Sequence, residues 1–285
     1  MKLVRFGDPG RERPGVLQDD VIVDVSSRIR DYDPRFFAEG GLAHLEEVLR
    51  EAEALPRVDP ATVRIGPPIG RPGKIVCIGL NYADHAEEAG FPVPTEPTVF
   101  FKAPNTIVGP YDQVRIPRGG DRTDWEVELG VVIGREARYL PDEAAGLAAV
   151  AGFAVVNEMS ERGFQLTRGG EWAKGKSCET FNPLGPWLVT PDEIDDVQAL
   201  DLWLDVNGEP MQRSSTKHML FSVGFLVWHL SQFMVLEPGD LIDTGTPGGV
   251  GNLQDPPRYL AKGDVIELGV TGLGSQRLSV IGADD

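Results

Sequence analysis

Two glutamates separated by one residue, Glu126 and Glu128, stand at the head of the run Asp124-Trp125-Glu126-Val127-Glu128-Leu129-Gly130-Val131-Val132-Ile133-Gly134. The run alternates acidic and apolar residues, then becomes continuously β-branched between glycines, which is the pattern of a buried strand entering a core from a polar mouth. Side chains alternate along a strand, so Glu126 and Glu128 share one face while Val127 and Leu129 take the other. Carboxylates held side by side repel. Placing them against a hydrophobic run asks for compensation, most simply a hard divalent cation. The alternative is a solvated strand end with both acids in water. A third acid, Glu158, ends the apolar stretch Gly152-Phe153-Ala154-Val155-Val156-Asn157 and could complete an oxygen-rich site. It could equally favour the dipole of a helix beginning near Ser160.

Proton-transfer and anion-binding groups flank these acids in the sequence. The stretch Asn81-Tyr82-Ala83-Asp84-His85-Ala86-Glu87-Glu88-Ala89-Gly90 reads as a short helix ending at glycine. His85 and Glu88 are three apart on it and share a face, so the carboxylate can fix the imidazole tautomer and raise its basicity, as a general base requires. An isolated surface ion pair is the bland reading of the same spacing. Arg162 and Gln165 are likewise three apart, and the loop Arg168–Cys178 carries Lys174 and Lys176. In so acidic a chain, cations beside carboxylates point to an anionic ligand bridging metal and lysine. One of the two lysines is expected to be only a solvated loop charge.

The elements that must position these groups follow from pattern. Leu3–Phe6 and Val21–Val25 read as strands around a turn at Asp8-Pro9-Gly10, and Leu42, Leu45, Val48 and Leu49 have helical spacing. Five prolines between Leu55 and Lys74 mark a connector, which sets off residues 1–70 as a small accessory domain from a catalytic domain of residues 71–285. Strands are expected at Lys74–Leu80, Val99–Lys102, Val265–Leu268 and Leu278–Ile281, a hairpin at Asn207-Gly208, a surface helix over Pro141–Val150 and a core helix over Phe221–Met234. Leu241–Gly251 is a strand running into a glycine loop. It lacks the Gly-Lys-Ser/Thr ending of a phosphate loop and opens no helix, so its glycines serve the close approach of backbone to a small ligand.

Composition narrows the function. The 34 Gly and 23 Pro favour short strands with many turns over a helical bundle, which makes the fold α+β and mainly β. A net charge of −17 disfavours nucleic acid and anionic lipid, both of which need a basic patch. Met1–Asp8 has no apolar core of a signal peptide, and Cys77 and Cys178 make no disulfide framework, so a cytoplasmic protein with free thiols is expected. The apolar run Met219–Leu236 contains His229, Ser231 and Gln232 and reads as a buried helix, not a membrane span.

In order, the motifs are Gly-Leu-Asn-Tyr-Ala-Asp-His-x-x-Glu, Glu-x-Glu-Leu, Asn-Glu-x-Ser-x-Arg-x-x-Gln, Lys-Ser and Thr-Gly-Thr-Pro-x-Gly-Val-Gly, spread over roughly residues 72–282. Together they resemble the fumarylacetoacetate hydrolase family. The resemblance implies a mixed β-sandwich roll with an N-terminal accessory segment, a Mg²⁺ or Mn²⁺ site, and a homodimer. It makes Glu126, Glu128 and Glu158 metal ligands, His85 and Glu88 the dyad that activates water on a lid segment, and Arg162, Gln165, Lys176 and Thr246 the substrate contacts, with Lys176 also catalytic. The stretch Ser160–Trp187 looks closest to the branch that hydrolyses 2,4-diketo-3-deoxy sugar acids. Glu158 and Glu179 stand where the family usually has Asp, and Gly163 replaces an acid that often follows the arginine. The activity implied is metal-dependent C–C hydrolysis of a 2,4-diketo acid, an acylpyruvate or a sugar acid, releasing pyruvate or a related 2-oxo acid. The alternatives are decarboxylation of a β-keto acid such as oxaloacetate, isomerisation, or a catalytically impaired protein that binds metal and keto acid.

Overall fold

Val127–Ile133 is buried along its whole length and pairs antiparallel on both sides, with Val150–Asn157 and with Leu241–Asp243. This computed structural model describes residues 1–88, 90 and 92–285; Ala89 and Phe91, at the expected end of the His85 helix and the start of the proline-rich segment after it, lie outside the described residues. A strand apolar on both faces can be satisfied only in the middle of a covered sheet. It lies inside a ten-stranded mixed sheet ordered Arg57–Val58, Val21–Asp24, Arg13–Gln18, Lys2–Phe6, Leu188–Val189, Val150–Asn157, Val127–Ile133, Leu241–Asp243, Ile75–Gly79 and Thr98–Lys102.

Alternation then decides which layer covers which face. Val127, Leu129, Val131 and Ile133 turn toward a five-stranded sheet and meet Leu204, Ile266, Leu268 and Leu278 in one continuous core. That second sheet contains the expected hairpin, with Asn207 and Gly208 both at positive φ between Asp201–Val206 and Glu209–Ser215. Val132, Ala154, Val156 and Leu241 face the other way, against Phe36, Phe37 and Leu45 from the helices Pro34–Ala38 and Gly41–Leu49. The α+β, mainly β fold, with the roll that the family resemblance implies, is therefore what the chain forms.

Several elements differ from the sequence reading. Arg13–Gln18 is a strand of the sheet although it holds Pro14 and Gly15; Tyr32 donates its hydroxyl to the Gly15 carbonyl, and a side chain at Gly15 would strike Ile22. The long helix expected over Phe221–Met234 is only Val223–Leu230, capped by Ser222. The lysine loop contains a short helix, Ala173–Lys176, and the helix expected near Ser160 begins at Arg162, after a bridge-like strand Ser160–Glu161. Among the described residues, no helix is long and apolar enough to cross a membrane.

Candidate active site

The end of the central strand brings the acids together. The main chain continues the ladder past its last formal pair, Glu158 N–H donating to the Glu126 carbonyl at 2.9 Å, while Glu128 lies opposite Val156. Glu126, Glu128 and Glu158 are 5%, 1% and 1% exposed, and one oxygen of each lies within 4.8 Å of the others. Both bland readings of these acids are thereby excluded. The strand end is not solvated, and the helix N-cap is Glu161, whose carboxylate accepts from Gly163 N–H at 3.1 Å.

Cations close over two of the three. Arg162 Nη2 lies 2.6 Å from Glu126 and 2.7 Å from Asp124, Arg162 Nη1 donates to Gln165 at 3.1 Å, and Lys176 Nζ is 3.0 Å from Glu126 and in close contact with Glu158. Lys102, which the sequence reading passed over, is fully buried and 2.6 Å from Glu158. Its signal was visible: a lysine ends an apolar strand there, as an acid does at Glu158. Asp124 was missed as well. It fixes Arg162 from behind while accepting from Gly251 and Asn252 N–H, so the arginine and the glycine loop are set by one carboxylate. Asp243, the acid in the strand leading to that loop, is buried 3.6 Å from the Cys77 thiol.

Asp124, Glu126, Glu128, Glu158 and Asp243 thus face Lys102, Arg162 and Lys176, five buried carboxylates against three buried cations. Buried carboxyls outnumber buried cations here, a balance that a divalent ion would redress. Electrostatics locate the deficit. Burial opposes ionisation of Glu126, but Lys176 and Arg162 hold its carboxyl well below the usual range. Among the described residues, Glu128 has no cation in contact and accepts only Gly245 N–H, at 2.8 Å; burial and the neighbouring charges of Glu158, Asp243 and Glu126 push it well up. Burial also raises Glu158 to about 7 despite its lysines, and Asp243 to about 6. Carboxylates so placed fit a hard divalent cation bound through oxygen.

His85 joins the three acids, Arg162, Gln165, Lys176 and Thr246 in the wall of one cavity, completed by Ile78, Phe100 and Trp172. Eight of the nine expected site residues therefore meet, and the ninth, Glu88, stands behind His85 on Ala83–Glu88. The dyad is loose. His85 Nδ1 and Glu88 are 3.7 Å apart, and Nδ1 is buried without a hydrogen-bond partner among the described residues. Glu88 accepts from Gly249 N–H at 3.0 Å; despite burial, His85 and that N–H keep its carboxyl below the usual range. The Thr246 hydroxyl is committed to the fold, donating to the Val127 carbonyl at 2.9 Å and accepting from Gln212 at 2.8 Å. Lys174 is the solvated lysine of the pair, donating to the Arg168 carbonyl. A larger cavity of about 310 Å³ opens beside Arg28, Asp31, Arg35, Phe36 and His44, but charges in its wall are paired locally, Arg35 with Glu39, Asp31 with Arg5 and His44 with Glu47.

Comparisons with known proteins place the chain's sequence and fold. A model of the fumarylacetoacetate (FAA) hydrolase C-terminal region matches residues 74–281. A protein of Burkholderia multivorans, named only provisionally as a hydrolase, is 51% identical over 278 residues, 97% of each chain. Among solved structures, fumarylacetoacetate hydrolase from Exiguobacterium antarcticum is 34% identical with a TM-score of 0.83 over 99% of both chains. The 2-hydroxyhepta-2,4-diene-1,7-dioate isomerase of Mycobacterium marinum is 28% identical with a TM-score of 0.79 over 100% of both. Maleylpyruvate hydrolase from Sphingobium sp. SYK-6, in complex with manganese(II) and pyruvate, is 26% identical with a TM-score of 0.82 over 99% of both.

Proposed function

Because this chain belongs to the fumarylacetoacetate hydrolase family, we propose that it is a Mg²⁺- or Mn²⁺-dependent hydrolase that cleaves a C–C bond of a 2,4-diketo acid and releases pyruvate or a related 2-oxo acid. The observation that carries the reading is the buried triad Glu126, Glu128 and Glu158, short of positive charge, in one cavity with His85, Arg162 and Lys176. Mn²⁺ and pyruvate together in the Sphingobium hydrolase support the ligand class. The ion, when bound, would polarise the 2-oxo acid end of the substrate as a Lewis acid.

The chain's own residues supply the rest. Arg162 and Gln165 hold the substrate carboxylate, and Thr246 shapes the wall beside them. His85, oriented by Glu88, takes a proton from water, and the hydroxide adds to the distal carbonyl. The C–C bond then breaks, its electron pair passing to the 2-oxo acid fragment as an enolate whose charge Lys176 balances before protonation. A His–carboxylate distance of 3.7 Å is compatible with this, since such contacts commonly tighten around bound substrate. The same proposal includes a homodimer and a division of labour between residues 1–70 and 71–285.

A second reading, isomerisation or β-keto acid decarboxylation, is favoured by the partnerless His85 Nδ1 and by the M. marinum isomerase, because neither reaction needs an activated water. Product analysis decides. Acylpyruvates, 2,4-diketo-3-deoxy sugar acids and oxaloacetate are incubated with Mg²⁺ and with chelator, and pyruvate, carboxylic acid and CO₂ are measured. The hydrolase reading expects pyruvate and a second acid in equal amounts, only with metal. Equal turnover with chelator, or none in either condition, overturns it.

A further inference from the structure

Each carboxylate of the triad has one oxygen committed to the protein. Glu126 Oε1 accepts the Ser160 hydroxyl at 3.2 Å and lies 2.6 Å from Arg162; Glu128 Oε2 accepts Gly245 N–H at 2.8 Å; Glu158 Oε1 lies 2.6 Å from Lys102 Nζ. The other oxygens are Glu126 Oε2 and Glu158 Oε2, which share the buried Lys176, and Glu128 Oε1.

Glu158 is the member of the triad held by two buried lysines, Lys102 on Oε1 and Lys176 on Oε2, so what fixes Oε1 decides whether a second oxygen can reach an ion. Lys102 does not line the cavity, and it is pinned in turn by the carbonyls of Met159 at 3.2 Å and Phe181 at 2.6 Å. Swinging Glu158 Oε1 toward an ion would break a buried charge-assisted bond and leave an ammonium unpaired, a costly exchange. Three single oxygens suit a six-coordinate ion that keeps open positions for water or substrate. Ca²⁺ takes six to eight oxygens and commonly uses carboxylates two oxygens at a time.

We propose that Lys102 is a specificity-determining residue: by occupying Glu158 Oε1 it limits the triad to one oxygen per carboxylate and so discriminates against Ca²⁺. This rests on the triad being the metal site. The test uses the full chain stripped with chelator and titrated calorimetrically with MnCl₂ or CaCl₂. Wild type is expected to favour Mn²⁺, and Lys102→Met to lower the Mn²⁺:Ca²⁺ affinity ratio by roughly tenfold, since Ca²⁺ gains an oxygen that Mn²⁺ does not use. Lys102→Arg, which keeps a donor on Oε1, retains the wild-type ratio. A merely structural lysine would weaken both ions in proportion, leaving the ratio unchanged in Lys102→Met, and that result overturns the proposal. Infrared difference spectra of the Ca²⁺-loaded wild type give a reading that does not depend on the variant folding. Only single-oxygen carboxylate bands are expected, and a two-oxygen band overturns the inference. Absence of any ion binding to wild type would instead remove the metal-site reading itself.

Discussion

The two sides of the cavity are held in opposite ways. On the sheet side Glu126, Glu128, Glu158, Lys102 and Arg162 sit on or beside buried strands. Contacts of 2.6–3.2 Å, with the close contact of Lys176 on Glu158, fix Glu126, Glu158, Lys102 and Arg162 from more than one direction and Glu128 through Gly245 N–H. On the helix side His85 hangs from a single short helix, 3.7 Å from its carboxylate, and Glu88 is tied to the rest of the protein through Gly249 N–H. The binding half is preorganised and carries uncompensated charge; the proton-transfer half awaits something that draws it in. Ion binding and proton transfer should therefore be separable by mutation.

The largest effect is expected on the sheet side. Glu128→Gln keeps an acceptor for Gly245 N–H but removes the carboxylate with no cation of its own. Turnover should fall by about 10³-fold, with no response to added Mn²⁺. The chelated variant should nevertheless melt higher than chelated wild type, because burial and the neighbouring charges of Glu158 and Asp243 disfavour ionisation of Glu128, a cost the neutral amide avoids. Retained metal response would dissolve the contrast between the two sides. His85→Ala tests the other side: turnover should drop by about 10²-fold or more, while calorimetric Mn²⁺ affinity stays at the wild-type value. A parallel loss of affinity would mean that the halves are one unit.

Lys176 touches both free oxygens of Glu126 and Glu158, so it competes with a cation for them. Lys176→Met should bind Mn²⁺ tighter by about tenfold, an estimate set by removing one adjacent positive charge, even as turnover falls. Weaker binding would show that the lysine supports the ion instead.

The next effect is one of pH. Carboxyls whose native pKa is raised hold protons that the unfolded chain has released, so folding loses stability as pH rises through that window. Glu158, at about 7 against an ordinary 4.5, and Asp243, at about 6 against 3.8, place the loss between about pH 4 and 7. Glu126 is shifted the other way, and its contribution is complete above its ordinary 4.5, so it does not mask the trend from pH 5 upward. The melting temperature of chelated protein should fall from pH 5 to 8, and bound Mn²⁺ should flatten or reverse the slope by holding the carboxylates ionised. A flat or rising curve in chelator would contradict the assigned charge deficit.

How much of this was legible in the sequence depended on whether a residue's chemistry was local. Glu126 and Glu128 could be assigned to one strand face because period two is a local rule, and Val127 and Leu129 do pack on the opposite side. The Asn207-Gly208 turn was readable for the same reason. Lys102, Asp124 and Asp243 were not, because their partners lie 56, 38 and 166 positions away and only the sheet order brings them together. Pro14 and Gly15 hid the strand Arg13–Gln18, where tertiary contacts with Tyr32 and Ile22 override poor local propensity. The helix Phe221–Met234 was overextended because no Gly or Pro between Leu230 and Met234 marks its end.

The smallest expected effect lies two residues from one of the largest. Lys174 and Lys176 share the helix Ala173–Lys176 and were indistinguishable as a cationic pair in the sequence. The turn of that helix buries Lys176 against Glu126 and Glu158 and leaves Lys174 exposed, donating only to the Arg168 carbonyl at 2.8 Å. An exposed lysine on a main-chain carbonyl contributes little, so Lys174→Ala should change stability by no more than about 0.5 kcal/mol and leave turnover and Mn²⁺ affinity at wild-type values. Thermal melts and a Mn²⁺ titration check this directly. A marked loss of turnover in Lys174→Ala would place the anion-binding side of the cavity on the outer surface of the helix, and the division between a rigid sheet wall and a lightly held helix wall would have to be redrawn around it.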